Sequence, residues 1–326
     1  MSVETKALAH ALNQALADAM EADSSVLLMG EDIGKLGGVF RVTDKLMSRF
    51  GSARVLDTPL AEAGIVGSAI GLAMAGYRPV VEIQFDGFVY PAFNQIVSQL
   101  AKYRSRTQGA ITLPVVIRIP YGGHIGAVEH HQESVESYFA HTAGLRVVAP
   151  ANPNDAYWML RQAIESPDPV IFLEPKAKYW MKGEVDFEKP AAGLYESRVA
   201  RAGSDVTLIG WGAMTSTLLQ AAQIAETEGT SCEVLDVRGL SPIDYEPLFT
   251  SVRKTGRVVI AQEAPGNVSL GSELAATITE RCFYTLQAPV LRVSGYDTPF
   301  PPAMLEGLYL PDADRVLEAV DRTMHY

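Results

Sequence analysis

Three carboxylates stand at or just after the ends of short apolar runs that predict β-strands. Glu31 follows the run at residues 26–30, Asp57 ends the run at residues 55–57, and Glu62 lies five residues further along. In an open parallel sheet, the carboxyl ends of the strands form the edge where ligands bind. One interpretation is that these acids hold a ligand or transfer protons. The other is that loops after strands are polar because they are solvated, and the residue pattern leaves both open.

Glu62 is the most informative of these acids because of the residues that come after it. Residues 63–77 carry no charged side chain and are rich in glycine and alanine, so they predict a helix that is apolar on all sides and buried. Thr58 is a residue type that caps helices and Pro59 suits a first turn, which predicts a helix start there. An acid at this place is either a solvated end that matches the helix dipole or a carboxylate kept for proton chemistry.

Three of the six histidines of the chain, His130, His131 and His141, lie within twelve residues in a predicted loop. A metal site is one interpretation, but no companion ligands follow at the spacing typical of zinc sites. A second is that one imidazole transfers protons, since its ordinary pKa near neutrality suits that task. The third is a surface loop whose histidines have no chemical role.

A glycine-bearing turn, Gly-Trp-Gly-Ala-Met-Thr at residues 210–215, follows a predicted strand, and Asp236 ends the next strand. This is half of the fingerprint that binds dinucleotides, which would make the chain a nicotinamide-dependent oxidoreductase. Thr215 stands where that fingerprint has a third glycine or an alanine. A tight strand-to-helix turn is therefore the simpler interpretation.

The bulk composition narrows the range of partners. A net charge of −11 over 326 residues argues against nucleic acid or an anionic membrane as a partner. The first residues carry no secretory pattern. Cys232 and Cys282 fit neither a disulfide framework nor a ligand spacing, so we expect buried free thiols and a cytoplasmic protein.

Predicted strands alternate with predicted helices through the first half of the chain, which indicates an α/β fold with a mostly parallel sheet covered on both faces. Residues 91–106 predict one of these helices, with apolar residues on one face. The alternation breaks at residues 182–200, which are polar, contain proline and glycine, and predict a linker. A second alternating set follows, so we expect a larger domain at residues 1–181 and a smaller α/β domain at residues 201–326.

With these residues in view, the chain resembles the beta subunit of the thiamine-diphosphate-dependent dehydrogenase component of 2-oxo acid dehydrogenase complexes. The matching segments run nearly from end to end and are together highly specific. Those at residues 82–106 and 295–301 look most like the branched-chain enzyme of the 3-methyl-2-oxobutanoate type, and pyruvate and acetoin dehydrogenases are the alternatives. The segments are Gly-Glu-Asp-Ile-Gly (30–34), Gly-Gly-Val-Phe-Arg (37–41), Thr-Pro-Leu-Ala-Glu-Ala-Gly (58–64), Glu-Ile-Gln-Phe (82–85), Pro-Ala-Phe-Asn-Gln-Ile-Val (91–97), Gly-Leu-Arg-Val-Val (144–148) and Gly-Tyr-Asp-Thr-Pro-Phe-Pro (295–301).

The resemblance implies a transketolase-like fold, with a pyrimidine-binding domain followed by a smaller C-terminal domain, and an alpha-beta heterotetramer. In the family the alpha subunit carries a Gly-Asp-Gly motif that holds magnesium and the diphosphate of the cofactor. No Gly-Asp-Gly occurs in this sequence, so we expect the chain to supply half of a shared site. The implied partners are an alpha subunit, a lipoyl acyltransferase core that the C-terminal domain contacts, and a second beta chain. The spacing of Gly67 and Gly71 would allow close helix contact, either with that second chain or within this chain.

The resemblance also assigns roles to residues that match the family's motifs. Glu62 matches the glutamate that bonds a ring nitrogen of the cofactor's aminopyrimidine and promotes its reactive tautomer. A dry surrounding would strengthen that hydrogen bond. Phe88 matches the aromatic side chain that stacks on the pyrimidine, and Leu60, Gln84 and Glu31 match its neighbours.

Two further family features fall on the loops of the sheet. The loop histidine that guides protons during reductive acylation of a lipoyl group matches His131. Its usual His-Ser-x-Ser-Pro context reads His-Gln-Glu-Ser-Val here, so His130 stays an alternative to His131. A potassium ion held by backbone carbonyls is the other feature, and its positions match Ile111, Ala163 and Asp168.

Overall fold

The first half of the chain alternates strands and helices, as its apolar runs predict. The computed structural model describes residues 3–326. The buried strands are short and rich in valine, leucine and isoleucine, which suits strands covered on both faces. In chain order the elements are β1 (Val3–Ala7), α1 (Leu8–Ala22), β2 (Val26–Gly30), α2 (Leu46–Phe50), β3 (Val55–Asp57), α3 (Glu62–Met74), β4 (Arg78–Glu82), α4 (Tyr103–Arg106), β5 (Val116–Tyr121), α5 (Glu136–Ala140), β6 (Arg146–Val148), α6 (Pro153–Glu165) and β7 (Val170–Pro175).

The second half repeats this alternation on a smaller scale. Two of its helices begin at a capping side chain: Ser269 and Asp312 each accept a hydrogen bond from a backbone N–H in the first helical turn. The elements are β8 (Lys182–Asp186), β9 (Arg198–Arg201), β10 (Val206–Gly210), α7 (Ala213–Thr227), β11 (Cys232–Asp236), β12 (Gly239–Ser241), α8 (Glu246–Thr255), β13 (Val258–Pro265), α9 (Leu270–Cys282), β14 (Leu291–Gly295), α10 (Glu306–Tyr309) and α11 (Ala313–Met324).

Two larger sheets organise these elements. The first has seven strands in the order β12-β6-β7-β5-β4-β2-β3, and the second has five in the order β14-β13-β10-β11-β9. Neighbouring strands are parallel except at the β12 and β9 edges. The register pairs Gly30 with both Asp57 and Glu82, so β2, β3 and β4 end at the same level. Glu31, Asp57 and Glu62, the acids predicted from the sequence, lie at this shared carboxyl edge.

The two sheets share a core. Helices α1 and α6 cover one face of the seven-stranded sheet. The core on its other face, which includes α3, continues into the five-stranded sheet through Ile209 and Trp211. In addition, β12 comes from the predicted C-terminal domain but pairs with β6 of the larger sheet. The predicted division at residues 1–181, 182–200 and 201–326 stays a prediction, with this strand crossing it.

Helix α3 differs from its prediction at the start and on one face. It begins at Glu62, and its N-cap residue Ala61 makes no side-chain hydrogen bond, so Thr58 does not cap it. The prediction of a helix buried on all sides is also wrong for this chain, because an apolar pattern does not distinguish a face packed on its own core from a face left bare. The bare face carries the small residues Gly64, Ser68 and Gly71 and, at the end of the helix, Met74.

Two other segments differ from their predictions. Residues 91–106 are helical, but before α4 they contain a π-helical segment and a 3-10 segment instead of regular α-helix. Pro91, which lacks an N–H, lies in another 3-10 segment at their start. The predicted linker at 182–200 contains β8, which pairs with β1, and the start of β9. Both are short, polar edge strands, whose weak alternation gave no strand signal.

Candidate active site

The carboxyl edge of β2, β3 and β4 brings together the residues predicted to contact a cofactor. Glu31 comes directly after β2, Glu62 is the first residue of α3, and Gln84 follows β4. Phe88 lies on the helical turn that leaves the same edge. This is the position at which open parallel sheets bind ligands.

Glu31 and Glu62 are both buried, each with 8% of its surface exposed. Burial raises the pKa of Glu31, and the neighbouring charges of Glu62 and Asp32 raise it further. The Oε1 atom of Glu31 is buried and has no hydrogen-bond partner among residues 3–326. An unpaired buried acceptor is costly unless a ligand or partner supplies a donor, so this pair of acids suits a ligand that carries N–H groups.

Asp57, the third acid of the sequence pattern, binds backbone groups of a neighbouring loop. Its carboxylate accepts hydrogen bonds from the backbone N–H groups of Gly34 (2.5 Å) and Lys35 (3.3 Å). These bonds hold the loop at residues 34–38 against the end of β3. Asp57 therefore fixes a wall of the site, whereas Glu31 keeps an acceptor free.

The other predicted contacts lie on the loops that leave this edge. Gln84 donates a hydrogen bond from Nε2 to Oδ2 of Asp32 at 3.2 Å. The half-buried ring of Phe88 packs edge-on against Phe85, with 5.7 Å between their centroids. Leu60 is 82% exposed. An uncovered leucine two residues before a buried acid is available to a ligand or a partner chain.

The structure separates His131 from its neighbour His130. The ring of His131 lies 4.5 Å from the ring of Phe85 and 5.1 Å from that of Phe88, measured between centroids. Its Nδ1 is 3.0 Å from the carbonyl oxygen of Glu129. Because a carbonyl only accepts, Nδ1 carries the proton and donates it, which leaves Nε2 as the basic nitrogen.

His130 and His141 are not brought into this aromatic cluster. His130 has a left-handed backbone (φ 67°) and a side chain that is 61% exposed. His141 is exposed at the end of α5. Of the three histidines of the sequence pattern, His131 alone lies against the aromatic rings of Phe85 and Phe88.

The loop that carries His131 is held by residues that the sequence analysis did not find. At its start, the carboxylate of Glu306 in α10 accepts hydrogen bonds from the backbone N–H groups of His124 and of Gly126, the latter at 3.1 Å. Near its end, Lys176 donates to the carbonyl of His131. No local pattern could indicate these contacts, because the partners lie far apart along the chain.

Comparison with known proteins identifies the family. A family model described as the transketolase pyrimidine binding domain matches residues 4–181, and one described as the transketolase C-terminal domain matches residues 196–316. The chain is 63% identical over 324 residues to the pyruvate dehydrogenase E1 component subunit beta of Leifsonia xyli, which covers 99% of this chain and 96% of that protein. It is 52% identical over 318 residues to the 3-methyl-2-oxobutanoate dehydrogenase subunit beta of Mycobacterium tuberculosis, which covers 97% and 91%.

The chain belongs to the family of 2-oxo acid dehydrogenase beta subunits.

A solved structure described as a split gene transketolase, inactive beta4 tetramer, has a TM-score of 0.78 and 26% identity, and covers 98% of each chain. The predictions of a transketolase-like α/β fold and of a 2-oxo acid dehydrogenase beta subunit are thereby confirmed. Relatives of this beta subunit are named for both branched-chain and pyruvate substrates.

Beneath the site, the sheet of this beta subunit contains a buried ionic network. Arg118 in β5 donates to Glu82 at 2.7 Å and to both carboxylate oxygens of Glu174, at 2.6 and 2.9 Å. Tyr179 donates to Glu174 at 2.5 Å. Burial raises the pKa of Glu82. A signal was present in the sequence: Arg118 interrupts an apolar strand, and an arginine buried there needs carboxylate partners.

Another buried acid, Glu136, lies between the two domains of the beta subunit. Glu136 in α5 is buried, and its carboxylate lies near the indole of Trp211 and near Glu263 of β13. Burial raises the pKa of Glu136 to about 7. Its Oε2 has no hydrogen-bond partner within residues 3–326.

The residues predicted for potassium lie away from the carboxyl edge of the sheet: Ile111 precedes β5, Asp168 precedes β7, and Ala163 is near the end of α6. The carbonyls of Ala163 and Asp168 each accept a hydrogen bond from Ser166, and the Asp168 side chain pairs with Arg104 and Arg146. The half-buried Ile111 follows α4. No cluster of three or more histidine, cysteine or acidic side chains arranged for a metal occurs in residues 3–326.

The remaining sequence features are structural in this beta subunit. The turn at residues 210–215 packs against the larger domain, and a Cβ at Gly212 would lie 2.1 Å from the hydroxyl of Tyr121. The side chain of Tyr121 therefore occupies the space that a dinucleotide would need next to this turn. Cys232 and Cys282 are buried free thiols, as predicted. Within residues 3–326, every helix is too short or too polar to cross a bilayer.

Proposed function

We propose that this chain is the beta subunit of a thiamine-diphosphate-dependent dehydrogenase that decarboxylates branched 2-oxo acids of the 3-methyl-2-oxobutanoate type and transfers the acyl group to a lipoyl disulfide. Membership of the family implies the dependence on thiamine diphosphate. The observation that carries the proposal is the pair of buried acids, Glu31 and Glu62, at the carboxyl edge of the parallel sheet.

The residues at this edge fit the heterocycle of that cofactor. Glu31 has a buried oxygen without a partner, which an amino group of the ring would satisfy. Glu62 would hold a proton at a ring nitrogen, where low polarity strengthens the bond. Phe88 would pack on the ring face, with Leu60 and Gln84 at its border. When bound, the cofactor supplies the electron sink for decarboxylation.

A partner chain would hold the charged end of the cofactor. This sequence contains no Gly-Asp-Gly motif, so we assign magnesium and the diphosphate to an alpha subunit. A structural relative, the split gene transketolase, is inactive as a tetramer of beta chains, which supports the idea of a half-site. The bare face of α3, with Gly67 and Gly71, would pack against a second beta chain in an alpha-beta heterotetramer.

His131 would serve the acyl transfer. In that step the acyl carbon would form a thioester bond with one lipoyl sulfur, the S–S bond and the bond between the acyl carbon and the cofactor would break, and the second sulfur would take a proton. The acyl group is oxidised and the disulfide is reduced, so no other oxidant is needed. His131 would deliver the proton from an imidazole whose orientation is set by the carbonyl of Glu129.

Three further roles extend the proposal. Docking of the C-terminal domain on a lipoyl acyltransferase core would place the acyl acceptor near His131. A potassium ion would bind to backbone carbonyls near Ile111, Ala163 and Asp168. Pyruvate is the second candidate substrate, because the Leifsonia xyli relative at 63% identity is named a pyruvate dehydrogenase subunit.

The test is reconstitution of the beta chain with an alpha subunit, thiamine diphosphate and magnesium. We expect decarboxylation of 3-methyl-2-oxobutanoate with a higher kcat/KM than that of pyruvate, and no turnover by the beta chain alone. A higher kcat/KM for pyruvate would select the second candidate. Turnover by pure beta chain, or none by the complex with any 2-oxo acid, would contradict the proposal.

A further inference from the structure

The backbone around His131 is fixed by a buried ion pair that none of the roles above uses. Lys176 follows β7 and donates from Nζ to Oδ1 of Asp86 and to the carbonyl of His131. The second oxygen of Asp86, Oδ2, accepts a hydrogen bond from the backbone N–H of Glu133 at 2.7 Å. One ion pair thus holds the chain on both sides of Gln132.

A close backbone contact completes this support. Gly87 donates from its N–H to the carbonyl of His130 at 3.1 Å. A Cβ at residue 87 would lie 2.6 Å from the Cα of His130, so only glycine allows the loop to approach this closely. Residues 130, 131 and 133 are therefore each bonded to a group on the segments that follow β4 and β7.

Stability alone is a weak explanation for this pair. The side chains of Asp86 and Lys176 are fully buried, and burying two charges costs several kcal/mol per ion, which their attraction recovers only in part. A pair of apolar side chains would fill the same space at no such cost. What an apolar pair lacks is an ammonium that holds the carbonyl of His131 and a carboxylate that holds the N–H of Glu133.

We propose that Lys176 and Asp86 are positioning residues for His131, which set its imidazole against Phe85 and Phe88 for proton transfer in acyl transfer. This inference rests on the proposed function of His131. Neither residue contacts the reacting atoms. The effect of losing them falls on the acyl-transfer step, because a displacement of about 1 Å at a catalytic group is enough to lower a rate roughly 100-fold.

The experiment compares two half-reactions in the reconstituted alpha-beta complex. Decarboxylation is followed with an artificial electron acceptor dye, and acyl transfer is followed with a lipoyl domain. Lys176→Met removes the donor, and the double variant Asp86→Asn/Lys176→Met removes both charges, so that no unpaired charge stays buried if the single variant fails to fold. Lys178→Met is the matched control, since its ammonium makes no hydrogen bond or ion pair within residues 3–326.

We expect both test variants to retain dye-linked decarboxylation within about 3-fold and to lose acyl transfer by about 10- to 100-fold, with Lys178→Met near wild type in both assays. A parallel loss in both assays, or no selective loss of acyl transfer in the folded double variant, would overturn the inference. The variant His131→Ala distinguishes a failure of the proposed function of His131 from a failure of the positioning role alone. If it leaves acyl transfer intact, the proposed function of His131 fails; if it abolishes acyl transfer and the ion-pair variants do not, only the positioning role fails.

Discussion

The imidazole of His131 lies 4.5 Å from the ring of Phe85 between centroids, while its Nδ1 is 3.0 Å from the carbonyl oxygen of Glu129. The aromatic contact fixes where the ring lies, and the hydrogen bond fixes which nitrogen carries the proton. His130 has neither constraint, since its side chain is mostly exposed. The two adjacent histidines therefore differ in what they can do.

Replacing the two histidines in turn tests this difference. His131→Ala should lower acyl transfer to a lipoyl domain by about 100-fold or more, because a positioned acid or base typically contributes 10²–10⁴-fold. His130→Ala is the matched control and should stay within about 2-fold of wild type. A stopped-flow acylation assay measures both, and an equal loss for the two variants would contradict the assignment.

Glu306→Gln should loosen the start of the histidine loop. The carboxylate holds the N–H groups of His124 and Gly126, and a hydrogen bond to a charged group contributes about 1.5–3 kcal/mol. We therefore expect hydrogen exchange at these two amides to accelerate about 10-fold or more. Glu318→Gln, at an exposed position of α11, serves as the control. Unchanged protection in Glu306→Gln would show that the carboxylate does not hold the loop.

The pKa of Glu136, raised by burial to about 7, gives a signed prediction for stability. Well below pH 4.5 the group is protonated in both the folded and the unfolded chain, and its raised pKa does not change the free energy of unfolding. As the pH rises toward 7, the unfolded chain releases the proton and the folded chain keeps it, so the free energy of unfolding falls. The full cost, roughly 3 kcal/mol, is present well above pH 7.

Glu136→Gln should remove this dependence while keeping the size of the side chain and its carbonyl oxygen. We expect the variant to raise the thermal midpoint of the purified beta chain at pH 8 and to change it little at pH 5. Glu129→Gln, an exposed acid on the histidine loop, is the control. A midpoint gain that is the same at both pH values would contradict the raised pKa.

Gly71→Ala should affect the chain and its assembly in opposite directions. A Cβ at this position meets no atom within 4 Å in the single chain, and glycine inside a helix costs about 0.5–1 kcal/mol relative to alanine, so the isolated chain should become more stable. If α3 packs closely on a second beta chain, the added methyl should weaken the heterotetramer. Thermal unfolding and sedimentation velocity measure the two effects, with Gln220→Ala as control. Unweakened assembly would contradict close packing at this face.

Local patterns predicted the strands and the edge at which Glu31 and Glu62 lie, because apolar periodicity and strand ends depend on residues close together in the sequence. The irregular turns after Pro91 and the strands within residues 182–200 were not predicted, since their bonds depend on distant partners. The bare face of α3 was missed for a related reason. Apolarity indicates that a face will be covered, but not whether this chain or another covers it.

In the candidate site as well, local sequence does not predict contacts between residues that are far apart in the chain. The resemblance pointed to His131 without excluding His130, and the deciding contacts with Phe85 and Phe88 come from a segment more than forty residues away. Asp86 and Lys176 are 90 residues apart, and Glu306 is 180 residues from Gly126. Only the folded chain brings these pairs together.

In the proposed function, Glu62 would activate the cofactor ring by holding a proton at a ring nitrogen. The most direct measurement is the rate of hydrogen–deuterium exchange at the thiazolium C2 position of thiamine diphosphate in the reconstituted complex, compared between wild type and Glu62→Gln, with cofactor affinity measured in parallel. We predict that exchange falls by about 100-fold or more while the affinity changes by less than about 10-fold, since in the proposed complex the alpha subunit would hold the diphosphate. An exchange rate that stays at the wild-type value would contradict the account.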